Sequence, residues 1–132
     1  MSSPTGLSAE GVDALQRLKE RREVNTVILR RAESVGLVLD LEGNLTRDEL
    51  LQALPPDKAR LGVHELAFAS RAGTRRHAHL LILWVPESAR GQEETYTAGY
   101  TGLKEFLTDV HVHLTATRTD QLEYRRLVAL TG

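Results

Sequence analysis

The chain has 132 residues, 41% hydrophobic and 27% charged, the composition of one globular domain and not of a disordered or multidomain protein. Seventeen Lys+Arg stand against eighteen Asp+Glu, and a net charge of −1 gives no bulk argument for nucleic acid or an anionic membrane as partner. The absence of cysteine excludes disulfides, thiol catalysis and thiolate metal sites, and suits a reducing cytosol.

The longest apolar run, 80–85, is far shorter than the roughly 20 residues of a membrane-spanning helix, so no membrane insertion is expected. The opening Met1-Ser2-Ser3-Pro4-Thr5-Gly6 lacks the charged and apolar regions of a signal peptide. It predicts a mobile tail over 1–6 ahead of a single domain over 7–132, in a cytoplasmic monomer.

Ser8 is placed to cap a helix over about 9–22, with Val12, Leu15 and Leu18 as its buried stripe. Residues 25–31 and 36–41 are rich in β-branched and aliphatic side chains and predict a hairpin. Thr46-Arg47-Asp48-Glu49 has the form of a capping box, and the helix it opens must stop at Leu54 because Pro55 and Pro56 follow. Strands follow over 61–69 and 79–85, joined by a loop over 70–76. The second is apolar at every position from Leu80 on, as in a strand buried on both faces. A helix over 93–107 comes next, and then 110–115, where Val110, Val112 and Leu114 alternate with His111, His113 and Thr115. Asp120 and Glu123 are expected to cap a last helix ending near Ala129. The strand–helix–strand unit over 80–114 is long enough for a right-handed crossover between parallel strands. The predicted fold is α/β (α+β), a five-stranded mixed sheet of antiparallel hairpins plus that β-α-β crossover, with helices on both faces.

Two His-x-His pairs, His77/His79 and His111/His113, are the most enzyme-like feature, since residues two apart on a strand point to one side and can share a metal. The plainer account makes them polar positions of half-exposed strands. No phosphate loop or nucleophile elbow is present, and no catalytic residue, metal or cofactor is expected. The stretch 71–79 carries Arg71, Arg75, Arg76 and two histidines without an acid. It is either a solvated loop or a basic finger for an acidic protein surface, with phosphate groups such as those of phosphoinositides as a second target. In the helix over 93–107, Gly99 and Gly102 join Thr95 and Ala98 in one small-residue face. That face suits either close packing on the sheet or a bare strip for a partner.

Several stretches, in order, resemble the actin-depolymerising-factor homology domain of cofilins and glia maturation factors. Leu54-Pro55-Pro56-Asp57-Lys58-Ala59-Arg60 resembles the family's Leu-Pro, four residues, then Arg. Trp84-Val85-Pro86-Glu87-Ser88-Ala89 is similar to the cofilin Trp-x-Pro-Asp-Ser/Thr-Ala, and Tyr96-Thr97-Ala98-Gly99 to the Tyr-Ala-Ser or Tyr-Ala-Gly of the long helix. Leu114-Thr115-Ala116-Thr117 is similar to the Gln-Ala-Thr after the last strand. The resemblance implies a non-enzymatic regulator that binds actin or the branch-nucleating actin-related-protein complex. It implies one actin-facing surface from Ser2, Ser3, residues 90–99 (Arg90, Gln92, Glu94, Thr95, Ala98 and Gly99 among them) and residues 117–121. A second, filament-binding surface would comprise Arg71, Arg75, Arg76, Glu123, Arg125 and Arg126. Cofilins carry two basic residues where Gln92 and Glu94 stand, whereas glia maturation factors have Glu/Gln there. Asn44-Leu45-Thr46-Arg47-Asp48-Glu49-Leu50 likewise resembles their Asn-Ile-Ser-x-Glu-Glu-Leu, so the resemblance leans to a debranching role, with cofilin-like severing as the alternative.

Overall fold

The computed structural model describes residues 7–21, 23–32, 36–69, 72–107, 110 and 112–131, without the side chains of Arg47, Tyr124 and Thr131. Its elements are α1 (Ala9–Lys19), β1 (Thr26–Ala32), β2 (Gly36–Gly43), α2 (Arg47–Ala53), β3 (Arg60–Ala69), β4 (Arg75–Trp84), α3 (Glu93–Phe106), β5 (Val112–Ala116) and α4 (Tyr124–Thr131). Short 3-10 turns at Glu87–Gln92 and Thr119–Leu122 lead into α3 and α4.

The strands form one sheet in the order β2-β1-β3-β4-β5, antiparallel throughout except that β4 and β5 run parallel. This is the expected mixed sheet, and β4 shows why it needs helices on both sides. Leu81, Leu83 and Val85 enter one cluster with Leu15 and Leu18 of α1 and Tyr96 and Leu103 of α3. Leu80, Ile82 and Trp84 enter another with Leu50 of α2, Leu127 of α4 and Leu122. Both faces of the central strand are thus removed from water, at about 25 cal/mol per Å² of apolar surface.

Local signals are met where sequence supplies them. Ser8 Oγ accepts the Gly11 N–H at 3.1 Å and opens α1. At α2 the Glu49 N–H donates to Thr46 Oγ1 at 3.1 Å while the Thr46 N–H donates to Glu49 Oε1 at 2.9 Å, the reciprocal capping box. Leu54 then leaves the helix in extended conformation ahead of the two prolines.

Element ends differ from expectation where no apolar residue marks them. α1 stops at Lys19 and not near residue 22, because Leu18 is its last buried side chain and charged residues follow. β4 begins at Arg75, four residues early, and pairs with β3 along an unbroken ladder from Arg60↔Trp84 to Ala69↔Arg75. Of the expected loop over 70–76, residues 75 and 76 belong to β4, Gly73 takes a positive φ of 81°, and residues 70 and 71 lie outside the described residues. β1 meets β3 only as far as Thr26↔His64, and β4 meets β5 only from Leu80. Residues 66–69 and 75–78 therefore have ladder partners only in each other among the described residues, and extend as a two-stranded ribbon. β5 starts at Val112; Val110 lies before it, buried in the α1–α3 cluster. Asp120 and Glu123 do not cap one continuous helix. Gln121 Oε1 instead accepts the N–H groups of Thr117 at 2.6 Å and Arg118 at 3.1 Å, folding the chain into a turn after β5. Glu123 is extended, and its carbonyl accepts the Leu127 N–H at 3.0 Å to open α4.

One buried polar pair crosses the sheet. Thr26 Oγ1 and His64 Nδ1 lie 2.8 Å apart at facing positions of β1 and β3. The Thr26 hydroxyl donates to Asn25 Oδ1 at 2.8 Å, and Asn25 in turn brackets Leu45 with two bonds, to its carbonyl and from its N–H. Burial pushes the His64 imidazole down to about 4, a shift that the nearby Glu65 carboxylate opposes.

Candidate protein-binding surfaces

The start of α3 is fastened to the segment before β3 by three hydrogen bonds. Trp84 Nε1 donates to the Pro55 carbonyl at 2.7 Å, and the Ser88 hydroxyl donates to the Pro56 carbonyl at 3.1 Å. The Ala59 N–H donates to Gln92 Oε1 at 3.0 Å. The stretches 54–60 and 84–89, some thirty residues apart, are thus two halves of one latch that sets where α3 begins. Pro86 is extended and Ala89 kinked (φ −108°, ψ 19°), so a 3-10 turn runs into the helix without a side-chain cap.

Packing then fixes which side of α3 faces out. Tyr96 and Leu103 are buried, and the Tyr96 hydroxyl accepts the Arg31 N–H at 2.9 Å. Gly99 lies on the packing side, since a Cβ there would stand 3.1 Å from Leu61 Cδ1 and 3.2 Å from Leu37 Cδ1. The close-packing account of the small-residue face therefore holds for Gly99, which drops out of any outward strip. Arg90, Gln92, Glu94, Thr95 and Ala98 are exposed. Ser2 and Ser3 lie outside the described residues. Burial raises the Tyr100 phenol above its usual range, and Lys104 Nζ sits 5.2 Å from the centre of its ring.

Beside the latch, a cleft of about 220 Å³ is lined by Val85, Glu87, Arg90, Glu93, Thr115, Thr117 and Arg118. It joins the turn before α3 to the end of β5 and the turn after it, the two segments expected to share a surface. Arg118 Nε is 3.1 Å from Asp120 Oδ1. Thr115 was not foreseen, because only the parallel pairing of β4 and β5 brings it beside the turn that carries Arg90; Glu87 stands on that same turn.

The second surface is built on the ribbon. Arg75 and Arg76 are exposed on β4, where they were expected on a loop; Arg71 lies outside the described residues. Phe68 of the ribbon and Val128 of α4 pack against the same apolar cluster. Glu123, Arg125 and Arg126 are exposed. His77 and His79 share one side of the ribbon and approach Glu65 Oε1 of β3 at 3.9 and 3.6 Å. This cross-strand carboxylate was missed because its position depends on the β3–β4 register. His113 is exposed on β5, opposite Leu81, and His111 lies outside the described residues. Among the described residues no group of three or more His, Cys, Asp or Glu is arranged to hold a metal ion.

A five-stranded mixed sheet clasped between helix pairs, with the long helix latched to a Pro-Pro segment, is the actin-depolymerising-factor homology fold. Residues 5–129 match the family described as cofilin/tropomyosin-type actin-binding protein, and the chain belongs to that family. Actophorin of Entamoeba histolytica is 29% identical over 89 residues, a stretch covering 67% of this chain and 64% of that protein. Among solved structures, cofilin of Streptomyces griseoflavus superposes with a TM-score of 0.82 at 19% identity, covering 96% of each chain. Actin depolymerization factor 2 of Plasmodium berghei gives 0.80 at 18% identity over 99% of each chain. Coactosin of Entamoeba histolytica gives 0.78 at 20%, over 96% of this chain and 95% of that one. No helix among the described residues is long and apolar enough to cross a membrane.

Proposed function

We propose that the protein is a cytoplasmic, non-enzymatic factor that turns over actin networks by binding, with a lean to releasing branches through the branch-nucleating actin-related-protein complex. The observation that carries the lean is the first turn of α3. Gln92 Oε1 accepts the Ala59 N–H, and Glu94 stands exposed beside it. An acidic first turn is locally favoured by the helix dipole but offers no cation at positions 92 and 94 to an acidic actin surface. The alternative is cofilin-like severing, favoured by Trp84-Val85-Pro86-Glu87-Ser88-Ala89, whose Trp and Ser both work in the latch.

Fluorescence microscopy of preassembled branched actin networks, scoring branch loss and severing separately, tests the two. Branch loss without severing is the expected result; severing of unbranched filaments transfers the protein to the cofilin-like role, and the absence of both events refutes the actin reading.

Arg75 and Arg76 supply the second contact, in which an exposed basic ribbon meets a neighbouring acidic subunit. Reversing both to Glu is expected to impair disassembly by roughly tenfold or more, with steeper losses at low salt, while thermal unfolding stays unchanged. Undiminished disassembly by that variant removes the ribbon from the mechanism. Phosphoinositide headgroups are a second target of the same arginines.

A further inference from the structure

We propose that the protein pairs with a second copy of itself through a groove between the C-terminal ends of α1 and α3, each copy placing its Phe106 in the groove of the other. The groove encloses about 190 Å³ and lies at the end of α3 remote from the latch. Its apolar lining is Val12 and Leu15 of α1 and Leu107 just after α3, all packed in the α1–α3 cluster. Phe106 also lines it, and with Leu130 it is one of two exposed large hydrophobic side chains among the described residues. An aromatic ring left in water beside an apolar hollow marks a protein contact.

Three features assign the contact to a second copy. The patch carries its own knob and hole, since Phe106 stands beside the hollow, and a two-fold axis places each ring in the opposite hollow. The rim carries both signs, Lys19 next to Glu20, and the same axis sets Lys19 of one copy against Glu20 of the other. With a net charge of −1, two copies approach without appreciable repulsion. The groove is small, so the pair is weak and forms where copies are concentrated. α3 spans 14 residues, so about 20 Å separate the groove from its first turn, and pairing leaves the surface of the proposed function uncovered. The pair departs from the monomer expected from the sequence, and it does not depend on the actin reading.

The test is analytical ultracentrifugation of the whole chain from about 10 μM to about 1 mM, for wild type, Phe106→Asp, Lys19→Glu, Glu20→Lys and the double exchange K19E/E20K. Wild type is expected to pass from monomer to dimer over that range, and Phe106→Asp to remain monomeric at the top of it. Phe106 is exposed, so its replacement leaves the core in place, and thermal unfolding of every variant checks that folding is kept. Each single charge change is expected to weaken pairing roughly tenfold, because the two-fold axis makes each contact twice. The double exchange should restore pairing, since opposite signs meet again. Wild type that stays monomeric throughout, or Phe106→Asp that pairs as well as wild type, overturns the proposal. A double exchange that pairs no better than the single changes overturns the two-fold arrangement. If wild type is monomeric while Phe106→Asp weakens sedimentation with filamentous actin, the groove belongs to that partner and the pair is again overturned.

Discussion

Trp84→Ala is expected to lower the unfolding free energy by about 3–5 kcal/mol, as for other large aromatics removed from a core. Trp84 is 2% exposed, sits in the α2–α4 cluster, and ends the strand on which both faces of the sheet depend. Trp84→Phe separates packing from hydrogen bonding, because it keeps most of the buried ring but releases the Pro55 carbonyl. That variant should lose about 1 kcal/mol, the ordinary net value of one hydrogen bond. Its larger consequence is functional. With the Nε1 bond gone, the segment 55–59 is tied to the start of α3 only through Ser88 and Gln92, so the cleft and the first turn of α3 are held less firmly. Urea denaturation reads the stability, and actin sedimentation reads the loosening. A Trp84→Phe protein with unchanged actin affinity would show that the latch serves folding alone.

The second large effect is on pH dependence. His64 is neutral in the folded protein because burial holds it near 4, whereas in the unfolded chain it titrates near 6.5. Between these values the unfolded state binds the extra proton, so stability rises with pH through that window. The contribution is complete above pH 6.5, is lost as pH falls towards about 4, and stops changing below it. Its size is about 3 kcal/mol, from roughly 1.4 kcal/mol for each unit of displacement. His64→Gln keeps a hydrogen-bonding partner for Thr26 but cannot titrate, so its stability profile between pH 6.5 and 4 should be flatter than wild type by that amount. Parallel profiles for the two proteins would mean that the imidazole is already charged, or hydrated, in the folded state.

Both predictions rest on residues whose role was legible to different degrees. Trp84 stood out in sequence within an unbroken apolar run, 80–85, that Pro86 closes. His64 did not, because a histidine within an apolar strand carries no sign of which way it faces or what it meets. Thr26, 38 residues earlier, becomes its partner only through the β1–β3 register. The same holds for Glu65 beside His77 and His79.

The candidate surfaces divide in the same way. The residues expected at the start of α3 are indeed at its start, since a proline, a 3-10 turn and acidic residues mark it locally. Their orientation was not readable: Gly99 faces Leu61 and Leu37, and Gln92 reaches Ala59, both settled by how α3 lies on the sheet. The half of the ribbon on β3 is legible as strand, whereas Arg75 and Arg76 at the start of β4 fall within the expected loop over 70–76 because they and His77 are exposed. With no face to bury there is no alternation, and only pairing with β3 makes these residues a strand.

The sequence by itself determined the order of the elements, the two-sided burial of β4, the Thr46–Glu49 capping box and the stop before Pro55. Each is encoded within a few neighbouring residues, by side-chain periodicity, by a cap or by the fixed backbone of proline. Only the tertiary structure decided the projecting ribbon, the latch between residues 55–59 and Trp84, Ser88 and Gln92, and the cleft shared by Arg90 and Arg118. Those depend on strand register and helix placement, which are set by the summed fit of two apolar clusters and by no local stretch of chain.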